Sequence, residues 1–365
     1  MSIGIGVIGA GVISDTYLTN LTAFPDVTVR FVADLDTERA AARATAHGID
    51  ASGGVAELLD RDDIDLVVNL TIPAAHATVS TAALRAGKHV WTEKPLAMSP
   101  EEGRALLALA EQRGLRVGCA PDTMLGAGIQ TARRAIADGR IGRPTTALAL
   151  FQSPGPDAWH PNPAFLFQEG AGPLFDIGPY YLSALISVFG AVDRVTAFGS
   201  RARDQRVVQA GPLAGTIFDV TVPTTVTALL EFREGGAAQL VLSFDSALVR
   251  SGVVEVTGPE GTAVLPDPNV FDGATTLHLT GGAPPISLEP LGHKASRGTG
   301  VLDLARSIHT GEPVRASGEL GLHVLEVMSA IDTAIRRGET TVVASTVPAN
   351  PPLAVDWDPY ARTIG

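Results

Sequence analysis

The sequence predicts an α/β chain in two parts: a doubly wound parallel sheet, then an α+β domain with an open, mainly antiparallel sheet. Two observations carry this expectation. In the first third, short apolar runs alternate with helical stretches, the spacing of a parallel sheet with crossover helices. In the second half, strand-like runs follow one another closely with tight turns between them, as antiparallel neighbours do. A length of 365 residues suits two domains, and the change of pattern puts them at 1–121 and 122–365.

Each early element follows from local chemistry. Ile3–Ile8 is an apolar run that glycines end, and Val12–Ala23 continues as a helix. Thr28–Ala33 is β-branched and apolar, a second strand closing at Asp34; the alanine- and arginine-rich stretch Thr37–His47 is helical. Leu66–Leu70 is a third, buried strand, Ala74–Ala86 a helix stopped by Gly87, and His89–Thr92 a fourth strand. Ser99-Pro100-Glu101-Glu102 supplies an N-cap, a proline at the first helical position and early acids, so Pro100–Arg113 is a helix ending at Gly114. Arg116–Gly118 begins a fifth strand.

Beyond Asp122 the expected helices are Ile129–Asp138, the apolar Tyr180–Phe189, and Ser317–Arg337 with Leu325, Met328, Ile331 and Ile335 on one face. The expected strands are Val192–Phe198, Thr225–Phe232, Ala238–Phe244, Val253–Thr257 and Thr262–Leu265. Glu234-Gly235-Gly236 and Gly258-Pro259-Glu260-Gly261 are the hairpin turns among them.

Composition narrows the function classes. A net charge of -12, spread along the chain, repels phosphate backbones and argues against a nucleic-acid partner. The single cysteine, Cys119, excludes an intrachain disulfide and fits a reducing compartment. The apolar N-terminus lacks a basic leader and is punctuated by Gly4, Gly6, Gly9 and Gly11, so it does not read as a signal segment. No apolar run reaches the roughly 18 residues that span a bilayer. The expectation is a cytoplasmic protein with no membrane partner. No His-x-x-x-His pair, nucleophile elbow or P-loop is present, so neither a metal site nor those hydrolytic chemistries are expected.

The strongest motif is Gly9-Ala10-Gly11-Val12-Ile13-Ser14, which follows the first strand and opens the first helix. The first glycine permits the tight turn, the second lets backbone approach a pyrophosphate, and the helix N-terminus offers N–H groups and positive dipole. Ser14 replaces the usual third glycine with another small residue. Asp34, at the end of the second strand, suits the adenosine ribose hydroxyls and repels a 2′-phosphate, favouring NAD over NADP. Arg39, a turn later, is the residue that leaves NADP as the less favoured alternative.

Further along stands His89-Val90-Trp91-Thr92-Glu93-Lys94-Pro95. With the glycine motif, the Thr71-Ile72-Pro73 turn followed by His76, and Gly170 to Tyr181 (GAGPLFDIGPYY), it resembles the Gfo/Idh/MocA oxidoreductases over nearly the whole chain. The resemblance implies a Rossmann domain, then a sheet domain used to build homodimers or homotetramers, with substrate held between the domains against the nicotinamide. It adds Thr71, Ile72, Pro73, His76, Glu93 and Lys94 to Gly9, Gly11, Val12, Ile13 and Asp34 as cofactor-site residues, and makes Pro95 the shaper of the turn.

Lys94 also has a case of its own, because ligands of parallel sheets bind beyond the carboxyl ends of the strands. A lysine in an apolar cleft can exchange a proton with a substrate hydroxyl, which arginine cannot. Inositol dehydrogenase-like members carry histidine four residues after the aspartate; this chain has Tyr180 there, with Tyr181 offering the same chemistry. Lys94, Tyr180 and Asp176 are therefore the catalytic candidates. Asp122, Trp159, His160, Asn162, Asp176 and Tyr180 are the expected substrate contacts, with Arg297 a weaker one. An indole beside imidazole and amide groups suits a sugar, whose apolar face stacks while its hydroxyls bond. The leading expectation is hydride transfer between NAD and a secondary alcohol of a sugar, glycoside or cyclic polyol. A redox-assisted glycosidase or lyase that retains NAD would use the same residues. A non-catalytic NAD-sensing protein is the third reading, against which Lys94 and Tyr180 argue.

Overall fold

The computed structural model describes residues 2–294, 296–347 and 350–365. Its first apolar runs become β1 (Ile3–Ile8), β2 (Val27–Ala33), β3 (Ser52–Gly53), β4 (Leu66–Asn69), β5 (His89–Thr92) and β6 (Val117–Cys119). They form one all-parallel sheet in the order β3-β2-β1-β4-β5-β6. Starting at β1, the chain winds outward to β3 and then crosses to β4, which leaves a topological switch beside β1. The crossovers are α1 (Val12–Leu21), α2 (Thr37–Ala46), α3 (Val55–Leu59), α4 (His76–Arg85) and α5 (Pro100–Gln112). Ser99 and Glu102 close the expected capping box at the start of α5. The two-residue β3 and five-residue α3 are too short to carry a readable periodicity.

The next part opens with α6 (Ala127–Ala137), β7 (Thr146–Gln152), α7 (Gly172–Asp176) and α8 (Gly178–Phe189). Then come β8 (Val192–Ser200), β9 (Gln205–Val207), β10 (Ile217–Asp219), β11 (Thr225–Phe232) and β12 (Ala237–Ser243). The remaining strands here are β13 (Arg250–Gly258), β14 (Gly261–Leu265), β15 (Thr275–Leu279) and β16 (Ile286–Leu288). Two helices, α9 (Thr299–Thr310) and α10 (Gly318–Arg337), and the edge strand β17 (Thr341–Val342) follow.

The large sheet has the order β16-β15-β14-β13-β7-β12-β11-β8-β17. All its pairings are antiparallel except β12 with β7. Its central strand β7 is one the sequence reading did not find. Burial alternates along β11, where Val226, Ala228, Leu230 and Phe232 are buried and Thr227, Leu229 and Glu231 face out. β9 and β10 pair separately as a short hairpin.

The chain divides into two units. One holds residues up to Gly126, Gly292–Leu325 and Leu353–Gly365; the other holds Ala127–Leu291 and Glu326–Pro352. The sequence reading put one boundary at 121/122, whereas 292–325 and 353–365 cluster with the first unit. They do so because α9 packs on β5 and β6, Ser317 bridges to Gly118, and Asp26 takes hydrogen bonds from Arg306, Thr363 and Ile364. Among the described residues no helix is long and apolar enough to cross a membrane.

Candidate active site

In the first unit the functional candidates gather at the carboxyl edge of the parallel sheet. β1 ends in the Gly9–Gly11 turn, β2 in Asp34, β4 in Thr71-Ile72-Pro73 and β5 in Glu93-Lys94-Pro95. Gly9 has φ +105°, and a β-carbon there would lie 2.7 Å from the Leu70 carbonyl. Gly11 differs. Its φ is -72° and a β-carbon would meet nothing within 4 Å, so the chain's own packing does not require glycine at that position. That open space leaves room for a ligand to come close to the backbone. Gly11 caps α1 without a side-chain hydrogen bond, and Val12 is exposed beside it, so a free helix N-terminus stands at the turn.

Asp34 is buried and bonded on both oxygens. Oδ2 accepts from Ala10 N–H (2.7 Å) and Oδ1 from Asp36 N–H (3.0 Å), while Arg39 forks onto both, at 2.6 Å to Oδ1 and 3.3 Å to Oδ2. Burial raises the carboxyl's pKa, but the Arg39, Ala10 and Asp36 donors outweigh it and the net displacement is downward. The arginine thus sits on the carboxylate expected to meet the ribose. The glycine turn, the uncapped helix and this acid fit an NAD dinucleotide.

The edge is stitched together by hydrogen bonds. Thr71 N–H and Oγ1 donate to Asn69 Oδ1, at 3.2 and 2.6 Å. His76, fully buried, faces the Pro95 carbonyl with Nδ1 (2.7 Å) and the Thr71 carbonyl with Nε2 (3.0 Å), tying the β4 turn to the β5 turn. Ile72 is exposed on this edge. Glu93 Oε2 accepts from Lys94 N–H at 3.1 Å, and Lys94 is half-buried. The Lys94–Pro95 and Ala120–Pro121 peptides are both cis.

Asp122 corrects one expectation. It stands at the same edge, after β6, but its side chain is fully buried and is not presented to a substrate. Oδ2 accepts from Gly298 N–H (2.8 Å) and Gly300 N–H (3.1 Å), so Asp122 caps α9. Oδ1 lies 3.7 Å from Arg297 and finds no hydrogen-bond partner among the described residues. Burial pushes the carboxyl up to about 6, with Arg297 and the glycine N–H groups restraining the rise. Arg297 is thereby assigned to Asp122.

In the second unit the candidates fall in two segments. Trp159 is 68% exposed, and His160 meets it edge-on at 5.5 Å and Phe165 edge-on at 5.6 Å. Asn162 is exposed and its N–H donates to His160 Nδ1 at 3.0 Å, which orients the imidazole. The continuation of this loop, Ala164–Phe167, packs on α7. Asp176 closes α7 half-buried, and Tyr180 lies buried in the first turn of α8. Tyr181 is committed elsewhere: its hydroxyl accepts from Gly252 N–H at 2.8 Å, and burial holds its phenol far above the ordinary range.

Sequence reasoning missed what holds this loop. Arg206, on β9, is buried and donates to Pro154 O (2.8 Å), Asp157 Oδ1 (2.6 Å), Phe244 O (2.6 Å) and Asp245 Oδ1 (2.5 Å), over the Phe167 ring at 4.9 Å. One buried arginine thereby ties together the segments that carry Pro154, Asp157, Phe244 and Asp245. Asp157 precedes Trp159 by two residues, so the cluster anchors the root of the aromatic loop. Among the described residues no three His, Cys, Asp or Glu side chains converge to hold a metal ion.

Known families and proteins match both parts of the chain. The Gfo/Idh/MocA model described as an oxidoreductase family with an NAD-binding Rossmann fold matches residues 3–120, and the family's C-terminal domain matches 129–264. The chain is 30% identical to the 1,5-anhydro-D-fructose reductase of Ensifer adhaerens, over 78% of this chain and 83% of that protein. It is 37% identical to the dTDP-3,4-didehydro-2,6-dideoxy-alpha-D-glucose 3-reductase of Streptomyces antibioticus, over 62% of this chain and 68% of that one. Among solved structures, the aldose-aldose oxidoreductase of Caulobacter crescentus, complexed with glycerol, superposes with a TM-score of 0.78 at 25% identity, covering 94% of this chain and all of the other.

Proposed function

The chain belongs to the Gfo/Idh/MocA oxidoreductase family, and on that premise we propose that it oxidises a secondary alcohol of a sugar, glycoside or cyclic polyol, or reduces the matching ketone, with NAD. One observation carries the reading: the Lys94 turn and the Gly9–Gly11 turn share the carboxyl edge of one parallel sheet, on β5 and β1 with only β4 between them. NAD, when bound, supplies the hydride acceptor. Gly9, Gly11, Val12 and Ile13 hold its pyrophosphate, Asp34 its adenosine ribose, and Thr71, Ile72 and Pro73 line the neighbouring turn. His76 and Glu93, the other cofactor-site residues of that edge, fix it through the Thr71 and Pro95 carbonyls and the Lys94 N–H.

Lys94 moves the hydroxyl proton together with Tyr180, and the engagement of Tyr181 with Gly252 supports Tyr180 as the phenol that acts. Asp176 takes hydrogen bonds from substrate hydroxyls, as do His160 and Asn162, and Trp159 offers a stacking face. The first unit accordingly serves the cofactor and the second the substrate. The names of the sugar reductases and oxidoreductases among its relatives support the substrate class. The outward face of β8 and β11, with Phe198 and Leu229 exposed, supports assembly as a homodimer or homotetramer. A single cysteine supports a cytoplasmic setting.

The test is a purified-protein screen with NAD against aldoses, glycosides, inositols, small aliphatic alcohols and 2-hydroxy acids, following nicotinamide absorbance. Activity confined to polyhydroxylated rings supports the proposal. Good turnover of small alcohols or 2-hydroxy acids alone overturns it, because such substrates leave the loop's polar groups unpaired.

A further inference from the structure

Tyr17 lies on the buried face of α1, the helix whose N-terminus forms the nucleotide turn. It is fully buried, in a position where phenylalanine would pack as well and leave no polar atom to satisfy. Its hydroxyl is nonetheless fully used. It donates to Glu93 Oε1 at 2.7 Å and receives Trp91 Nε1–H at 3.3 Å. Burial and the nearby Glu93 charge hold the phenol protonated, far above its ordinary range, so the direction of donation is set.

The chain of bonds continues to the reacting turn. Glu93 Oε2 accepts the main-chain N–H of Lys94, so the two oxygens of one carboxylate join α1 to the peptide that carries the lysine. The far end is equally constrained. The Trp91 ring is packed against Gly118 and Gly300, where a β-carbon at either position would collide with the indole. Trp91 lies in β5 and Glu93 just beyond its end, and the Tyr17 hydroxyl bonds both from the helix.

We propose that Tyr17 is a positioning residue for the catalytic turn: its phenol, carried on the helix that faces the cofactor pyrophosphate, fixes Glu93, and Glu93 fixes the main chain at Lys94. The proposal rests on the reading of Lys94 as the proton-transfer group. It assigns Glu93 a mechanical task, and it makes the nucleotide helix and the lysine turn one hydrogen-bonded assembly. Small misplacement of a reacting group is costly, so loss of one hydroxyl here acts on turnover before it acts on binding.

The test is Tyr17→Phe, with Glu93→Gln and the double variant. Rates are taken per NAD-competent site, counted by fluorescence titration, and hydrogen exchange is followed in the peptide spanning residues 90–96. Tyr17→Phe should lower kcat on the order of 10-fold to 100-fold while the NAD dissociation constant moves less than about threefold. Exchange at the Lys94 amide should speed up without NAD present. The double variant should be no worse than the weaker single one, since both break the same chain. A kcat within about twofold of the parent, unchanged exchange, or additive losses overturns the proposal. If Tyr17→Phe does not fold, Glu93→Gln alone decides by the same readouts. Lys94→Arg, run alongside, separates the two failures. Full activity there overturns both readings, whereas loss there with full activity in Tyr17→Phe overturns only this one.

Discussion

Replacing Asp122 with asparagine isolates one buried charge. The folded protein raises this carboxyl from 3.8 to about 6, chiefly by burial, against the pull of Arg297. The folded state therefore binds the proton more tightly than the unfolded chain does. The stability this group contributes is complete below about pH 4 and is lost as pH rises through about 6. A displacement of about two pH units, at about 1.4 kcal/mol each, sets the full effect near 3 kcal/mol. Asparagine keeps one oxygen for the Gly298 and Gly300 N–H groups but never ionises. Asp122→Asn should thus gain on the parent by up to about 3 kcal/mol between about pH 4 and about pH 8. Urea unfolding of both proteins across that range, followed by tryptophan fluorescence, measures the difference, in which the other titrating groups cancel. A difference that stays flat, or that turns toward the parent as pH rises, refutes the reasoning.

Two further outcomes follow from the two units. Asp34→Ala removes a carboxylate whose oxygens bond Ala10 and Arg39, and it should cost NAD about 1.5–3 kcal/mol in kcat/KM while NADP gains from the freed guanidinium; a parent enzyme that already prefers NADP contradicts this. His160→Ala and Asn162→Ala should raise the KM for substrate, by about 1–3 kcal/mol for each group left unpaired, and leave kcat near the parent value; steady-state kinetics showing a fall in kcat with unchanged KM would contradict it.

What the sequence made legible was local. The glycine turn, Asp34 and the Ser99–Glu102 capping box each lie within a few residues of the element they serve, and the structure has them at the expected strand and helix ends. What it hid depends on contacts across long stretches of chain. β7 escaped because its neighbours β12 and β13 arrive only after residue 236, so no hairpin turn announces it. Asp122 read as a ligand contact because a carboxylate near a strand end shows its chemistry but not its burial; the N–H groups it caps are 176 and 178 residues away. Tyr17 and Glu93 are separated by 76 residues, and Arg206 reaches Asp157 across 49.

The most direct measurement compares the parent protein and Lys94→Arg for NADH formation on the best substrate of the sugar, glycoside and polyol panel, with NAD binding titrated in parallel. The account predicts that the parent turns over, that Lys94→Arg binds NAD within about threefold of the parent, and that its kcat falls on the order of 100-fold or more, because arginine keeps the charge but cannot take the proton. Near-parental turnover by Lys94→Arg would contradict the account.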